Sequence, residues 1–121
     1  ENVAYLPWSP LAGGALSGKY LHNQLPVGSR WSFEQRQGIF RNTPLSQQAI
    51  ARYVDVAQSH NITPSQLALI WCNQIEGVTS TIIGATSMPQ LKENLAAFSM
   101  DLSPKAKSDV NLVLREFPVP F

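Results

Sequence analysis

Two segments of the chain carry residue types that suit an anionic ligand. In the first, residues 13–20 (GGALSGKY), glycines leave backbone N–H groups uncovered and Lys19 adds a positive charge. In the second, an apolar run ends at Gly84, and Thr86 and Ser87 precede the start of a predicted helix. N–H groups at glycine-rich turns and at helix N-termini both favour phosphate. The sequence therefore indicates a phosphate-containing ligand, commonly a cofactor.

The first segment allows three interpretations. Its spacing nearly matches the P-loop pattern G-x-x-x-x-G-K-[ST], but Tyr20 replaces the hydroxyl residue that would hold Mg²⁺, and a polar loop follows where a helix should begin. The glycines could instead form a purely structural turn. A phosphate-facing loop of another kind also fits, since Lys19 provides a point charge beside open backbone.

The second segment allows two compatible interpretations. Gly84 lets a ligand approach the backbone closely, and Thr86 can donate to a phosphate. Gln90 and Glu93 lie one helical turn apart on the same side, and Asn94 follows. Alternatively, Ser87 and Gln90 form only a capping box at the helix start. Ser87 can serve as the cap while Thr86 serves a ligand.

Other candidate residues are few. Trp8, at the end of a predicted strand, could stack on a flat cofactor ring or simply pack in the core. His22, His60 and Cys72 lack the spacing of metal ligands, and Cys72 is expected to be a small buried hydrophobe. No catalytic acid–base set is evident, so no catalytic residue and no metal site are predicted.

Regular elements must position these segments. Residues 3–8 and 78–83 read as strands, and because neither alternates polar with apolar residues, both are expected to be buried on two faces. Helices are predicted over residues 45–60, from the capping box Thr63-Pro64-Ser65-Gln66 to about Gln74, and from Ser87 and Ser103 onward. Three of the helices have a predicted inward apolar face, made by Leu45, Ala49, Ile50, Tyr53, Val54 and Ala57; by Leu91, Leu95 and Phe98; and by Val110, Val113, Leu114 and Phe117.

The order of elements is that of an α/β protein with parallel strands. Two such strands cannot cover themselves, and a (β/α)₈ barrel takes about 250 residues. About two of its eight units fit a chain of 121 residues that begins without an initiator methionine. We therefore expect residues 1–121 to be one part of a larger single domain.

Composition excludes several classes of partner. A formal charge of +1 and scattered basic residues argue against nucleic acid and anionic membranes, and no apolar run reaches the ~18 residues of a membrane span. A single cysteine suits a reducing compartment, so a cytoplasmic location is expected.

Together, residues 8–20 (WSPLAGGALSGKY) and residues 80–94 resemble the last two strands and loops of an aldo-keto reductase. Residues 66–72 (QLALIWC) also resemble the helix before the eighth strand of that family, so the resemblance covers nearly the whole chain. It is closest to the branch that includes the bacterial Tas protein and the potassium-channel β subunits.

This resemblance implies the C-terminal part, about strands 7 and 8 with their helices, of a (β/α)₈ TIM barrel that binds NADP(H). It implies an oxidoreductase that transfers hydride between nicotinamide and a small-molecule carbonyl or alcohol. Trp8 would stack on the nicotinamide, and Ser9, Leu11 and Gly13 would line the pyrophosphate. Lys19 would meet phosphate, and Arg30 would reach the 2′-phosphate. The remaining implied cofactor-binding residues, at the adenosine end, are Gly84, Thr86, Gln90, Glu93 and Asn94.

The chain departs from the family pattern in two ways. Many members grip the 2′-phosphate with a Lys and an Arg after the eighth strand, where this chain has Gly84, Ala85 and Gln90, so a preference for NADP over NAD depends on Lys19 and Arg30. The family's catalytic Asp, Tyr, Lys and His lie on earlier strands, so this chain alone is expected to be inactive. A non-catalytic NADP(H)-binding regulatory subunit, similar to the channel β subunits, is the alternative.

Overall fold

The computed structural model describes residues 3–33 and 42–119, and the structural statements below concern those residues. Within them, four α-helices follow one another: α1 (Pro44–Ser59), α2 (Pro64–Asn73), α3 (Met88–Ala97) and α4 (Pro104–Glu116). Short 3₁₀ helices precede α1 at Ala12–Ser17, Leu21–Asn23 and Arg30–Ser32. The connection predicted from His22 to Thr43 thus contains helical turns, and its residues 34–41 lie outside the described ranges.

Each α-helix begins with a hydroxyl side chain at the N-cap and a proline in the first turn. The caps are Thr43, Thr63, Ser87 and Ser103, and each accepts a hydrogen bond from the backbone N–H three residues later. Such a cap satisfies an otherwise unpaired N–H, and proline there sacrifices no helical hydrogen bond. The predicted capping box of Thr63 and Gln66 is confirmed, and α1 and α2 end within one residue of prediction.

The two predicted strands are not formed as strands. Residues 3–8 and 78–83 meet instead in one parallel β-bridge, between Tyr5 and Val78. Thr79 N–H donates to the Tyr5 carbonyl and Ile82 N–H to the Pro7 carbonyl, both at 2.9 Å. A backbone pair without further neighbours gains too few ladder hydrogen bonds to settle into a regular sheet.

The expectation that these segments are buried is also wrong for this structure. Val3 is 80% exposed, Trp8 74% and Ile82 51%, because no other part of the described chain covers their faces. On α3, Leu95 is exposed while Asn94 and Ala97 are buried, so its inward face is turned by about one residue from the predicted one. Leu45 and Leu114 are likewise exposed, and Cys72 is half-buried.

The helices enclose the core that holds the two anion-suited segments in place. α2 packs against α1 and α3, α1 packs against α4, and the 3₁₀ helix Ala12–Ser17 rests on α1 and α2. The largest apolar cluster lies among α2, α3, α4 and the end of α1, and consists of Ala57, Leu67, Leu69, Ile70, Ala97, Leu102, Ala106 and Val110. A second cluster joins the glycine-rich segment to α1 through Ala12, Ala15, Tyr20, Trp31 and Ile50.

Candidate functional site

The parallel bridge gives the backbones that lead to the two anion-suited segments the same direction. Because Tyr5 pairs with Val78 in the parallel sense and Ile82 N–H reaches the Pro7 carbonyl, the backbones that lead to Trp8 and to Gly84 leave on the same side. Loops at the carboxyl ends of parallel strands are where α/β proteins usually bind ligands. No hydrogen bond or ion pair joins the two groups of predicted site residues within the described ranges.

The glycine-rich segment forms a tight turn that only glycine tolerates well. Gly13, Gly14 and Gly18 have φ angles of 69°, 98° and 80°, in the left-handed region. Ser9 also has a positive φ, 55°, and its carbonyl accepts from Ala12 N–H at 2.8 Å. A 3₁₀ helix follows the bridge here in place of the α-helix that a P-loop requires. Strain of this kind concentrates at ligand-binding turns.

Lys19 lies folded against this turn. Its Nζ is 5.2 Å from the centroid of the Tyr20 ring. A methyl group on Gly14 would lie 3.1 Å from Lys19 Cε, so the glycine makes room for the lysine stem. Neither Lys19 nor Arg30 forms an ion pair with a described residue. Their positive charges are therefore available to an anion.

Trp8 and Leu11 have separate environments. The Trp8 ring is 74% exposed, which rules out the core-packing interpretation within the described part of the molecule and leaves the ring open to a planar ligand. Leu11 is half-buried against the main core, while its carbonyl accepts from Gly14 N–H at 2.9 Å. Leu11 thus anchors the glycine turn to the core.

The second segment places two donors on one oxygen atom. Thr86 N–H and Thr86 Oγ1 both donate to Gln90 Oε1, each at 3.0 Å. Ser87 Oγ accepts from Gln90 N–H at 3.4 Å, so Ser87 is the cap, but the Gln90 side chain does not complete the predicted capping box. A methyl group on Gly84 would meet nothing within 4 Å. The Gln90 side chain therefore occupies both Thr86 donors, which converge beside open space at Gly84.

Glu93 and Asn94 are held more deeply than Gln90. Glu93 Oε1 accepts from Thr63 Oγ1 at 2.5 Å, a contact between α3 and the start of α2 that the sequence did not reveal. Asn94 is 3% exposed, and no hydrogen bond joins its amide to another described residue. Among the described residues, the fully buried side-chain polar atoms without a hydrogen-bond partner are Ser29 Oγ and Gln74 Oε1, so the Asn94 amide keeps some contact with solvent. Gln90 and Glu93, although one turn apart, contact different threonines.

These residues fit an extended phosphate-containing cofactor. The side chains include two cations without an ion-pair partner among the described residues and an exposed aromatic ring, which match phosphates and a flat ring, whereas the Thr86 hydroxyl is already bonded to Gln90. Two surface cavities, of about 400 and 410 Å³, lie on α4 and beside the start of α1, and no predicted site residue lines either.

Among the described tyrosines, Tyr20 and Tyr53 pack against the core. The hydroxyl of Tyr20 accepts from Trp31 N–H inside the second cluster. Tyr53 lies in α1, where burial raises the pKa of its phenol.

The described residues contain no group of three or more His, Cys, Asp or Glu side chains placed to hold a metal. Among them, no helix is both long enough and apolar enough to cross a membrane.

Comparison with known proteins gives a consistent result. A model described as "Aldo/keto reductase family" matches residues 1–114. Protein tas of Escherichia coli (strain K12) is 35% identical over 120 residues, which are 99% of this chain and 34% of that protein. A probable voltage-gated potassium channel subunit beta of Arabidopsis thaliana is 30% identical over 122 residues, 98% of this chain and 37% of its own length. The chain thus spans about a third of the relatives it matches.

Proposed function

The chain belongs to the aldo/keto reductase family, and from this membership we propose that it is the C-terminal part of a single (β/α)₈ barrel domain with NAD(P)H-dependent oxidoreductase activity. The reaction is hydride transfer between the nicotinamide cofactor and a small-molecule carbonyl or alcohol, in the cytoplasm. Residues 1–121 supply much of the cofactor site, while the proton donor comes from another part of the barrel. The observation that supports this proposal is the parallel bridge between Tyr5 and Val78, from which the chain leads to both anion-suited segments in the same direction.

In this proposal, the first segment binds the nicotinamide and pyrophosphate, and the second segment binds the adenosine. The exposed Trp8 ring stacks on the nicotinamide, and the backbone of Ser9, Leu11 and Gly13 lines the pyrophosphate. Gly84 lets the adenosine approach, Thr86 and Gln90 bind its ribose or phosphate, and Glu93 and Asn94 bind the adenine. The Asn94 amide, which forms no hydrogen bond with a described residue, supports the last assignment, since a purine edge offers both a donor and acceptors.

A preference for NADP(H) depends on Lys19 and Arg30. Hydrogen bonds from Thr86 and Gln90 are weaker than a charge-assisted contact. Lys19 and Arg30 lack ion-pair partners among the described residues, which supports their assignment to phosphate. On this proposal they provide the positive charge that other members of the family place after the eighth strand.

A second candidate is a regulatory subunit that binds NADP(H) without turnover. It is favoured by the relatives in Arabidopsis thaliana and in rice (Oryza sativa subsp. japonica), the latter 30% identical over 115 residues, both named as probable channel subunits beta. The cofactor-binding residues are the same in both candidates. They differ in the presence of a general acid.

One experiment tests both candidates in the protein that contains this chain. NADPH is titrated while tryptophan fluorescence is recorded, and loss of reduced nicotinamide absorbance is then followed with a panel of aldehydes and ketones. Saturable binding that Thr86→Val weakens supports the cofactor site, with Thr81→Val as the matched control outside it. Binding with turnover identifies the reductase, and binding without turnover identifies the subunit. Absence of NADPH binding would overturn the proposal.

A further inference from the structure

An aromatic stack connects the two cationic residues of the candidate site. The rings of Tyr20 and Trp31 lie face to face, with centroids 4.0 Å apart and planes inclined by 3°. Both side chains are buried, at 2% and 3% exposure. The backbone N–H of Trp31 also donates a hydrogen bond to the Tyr20 hydroxyl at 3.3 Å. This double contact joins residues that are eleven positions apart in the sequence.

Each ring is the direct neighbour of a proposed phosphate-binding cation. Lys19 precedes Tyr20, and Arg30 precedes Trp31. Because the rings are in van der Waals contact, the backbones that carry Lys19 and Arg30 are fixed relative to each other. Without the stack, Arg30 would be positioned only by its own turn.

Both sides of the stack are anchored. The Tyr20 carbonyl accepts from Gln47 Nε2 of α1 at 3.0 Å, and the ring packs with Ala15 and Ile50. On the other side, Ser32 N–H and Ser32 Oγ donate to the Ser29 carbonyl at 3.0 and 2.7 Å, which closes the turn around Arg30. The Arg30 side chain is exposed while its neighbour Trp31 is fixed in the core.

We propose that Trp31 is a positioning residue for the 2′-phosphate of NADP(H): its stack on Tyr20 presents Arg30 beside Lys19, so that both cations meet one phosphate. This inference rests on the proposed function. Binding a phosphate with a segment that is already ordered avoids the entropic cost of ordering it on association. Trp31 therefore determines selectivity between NADPH and NADH without touching either.

The test compares ligands that differ only in the 2′-phosphate. In the protein that contains this chain, dissociation constants are measured by calorimetry for NADPH and NADH, and for adenosine 2′,5′-bisphosphate and AMP. Trp31→Ala should raise the constants of the phosphorylated ligands about tenfold, the loss of one charge-assisted contact. The constants for NADH and AMP should change less than about twofold, since neither ligand carries the 2′-phosphate.

Three further variants separate positioning from general stability. Trp31→Phe retains a stacked ring and should restore most of the selectivity. Arg30→Ala should lose the same selectivity, and Trp31→Ala added to it should cause little further loss, because both act through one contact. If Trp31→Ala does not fold, Trp31→Leu takes its place, since it keeps an apolar side chain without the flat ring.

The outcomes distinguish this inference from the proposed function. Equal loss of phosphorylated and unphosphorylated ligands in the Trp31 variants, or additive effects of Trp31→Ala and Arg30→Ala, would overturn the positioning role. A wild-type protein that binds none of the four ligands would instead overturn the proposed function.

Discussion

At the scale of single residues, three glycines differ in what a side chain would meet. A Cβ on Gly14, at φ 98°, would lie 3.1 Å from Lys19 Cε and 3.3 Å from the Tyr20 ring. At Gly28, φ is 75°, but the space is open, and at Gly84 the space is open without a positive φ. These three positions allow backbone strain and steric contact to be separated.

We predict that Gly14→Ala lowers the free energy of unfolding by about 1–3 kcal/mol, from left-handed strain, and that contact with Lys19 and Tyr20 adds to this. Gly28→Ala should show the strain alone. Gly84→Ala should be neutral or stabilising by up to about 1 kcal/mol, because it removes freedom only from the unfolded chain. Chemical denaturation of the three variants checks the order, and equal losses at Gly14 and Gly28 would contradict the contact.

Some of the site could be predicted from residue types, and some could not. Glycines beside Lys19, and hydroxyls after Gly84, mark anion-binding turns because the local backbone alone creates the donors. The stack of Tyr20 on Trp31 and the bond from Thr63 to Glu93 depend on how distant segments pack, which no local spacing encodes. Gln90 shows where prediction from spacing fails. Its side chain accepts a hydrogen bond from Thr86 N–H and does not complete the capping box that its spacing predicted.

At the scale of elements, Thr63 links the start of α2 to α3. Its Oγ1 accepts from Gln66 N–H at 3.1 Å and donates to Glu93 Oε1 at 2.5 Å. Ser103 at the start of α4 forms only the capping hydrogen bond, in which its Oγ accepts from Ala106 N–H at 3.1 Å. Ser103 is therefore a matched control for Thr63.

We predict that Thr63→Ala destabilises the protein by about 1–2 kcal/mol for the lost cap. Loss of the Glu93 contact should add to this, so the total should exceed the effect of Ser103→Ala. A double-mutant cycle with Glu93→Gln, followed by chemical denaturation, isolates the tertiary contact. A coupling energy near zero would show that Thr63 acts as a cap alone.

A charged cluster ties the end of α1 to α4. His60 Nε2 lies 2.8 Å from Asp109 Oδ2, and Lys105 Nζ lies 2.9 Å from the same atom. The hydrogen bond with His60, followed by that from Lys105, lowers the pKa of the Asp109 carboxyl below its ordinary value. The folded state therefore favours the ionised carboxylate.

We predict an acid-sensitive contribution to stability from this cluster. A depressed carboxyl pKa stabilises the fold fully above the unfolded-state pKa and less as pH falls through the folded-state pKa. Asp109→Asn should remove this acid dependence, while Lys105→Met should reduce it only in part, because Lys105 is 76% exposed. Denaturation midpoints measured from neutral pH down to about pH 3 would show it; an unchanged profile in Asp109→Asn would contradict the assignment.

The helices follow the sequence closely, whereas the strands do not. A hydroxyl N-cap followed by proline, as at Thr63 and Ser103, fixes the first residue of a helix through local contacts alone. This explains why α2 begins where predicted. A strand depends on partners, and residues 3–8 and 78–83 find only each other in the described structure. Leu95 is exposed for a different reason, since α3 turns Asn94 and Ala97 toward the core instead.

At the scale of the whole molecule, the apolar residues that the sequence assigns to buried strands form an exposed surface. It comprises Val3, Tyr5, Leu6 and Ile82, which are 49–80% exposed. Contiguous apolar surfaces of this kind normally lie against another element of the same fold or lead to association. In the proposed barrel, the neighbouring strands would cover them.

We predict that residues 1–121, produced alone, do not behave as a cooperative monomer. The uncovered apolar surface and the unpaired edges of the bridge should lead to self-association, dye binding and a broad thermal transition, as measured by size-exclusion chromatography, ANS fluorescence and calorimetry. Replacing Leu6 and Ile82 with lysine should reduce dye binding, because each charge makes part of that surface polar, whereas lysine at the exposed Leu112 of α4 should leave it unchanged. A sharp two-state transition with the elution volume of a compact monomer would show that the chain folds independently, and would remove the physical reason for assigning it to a larger barrel.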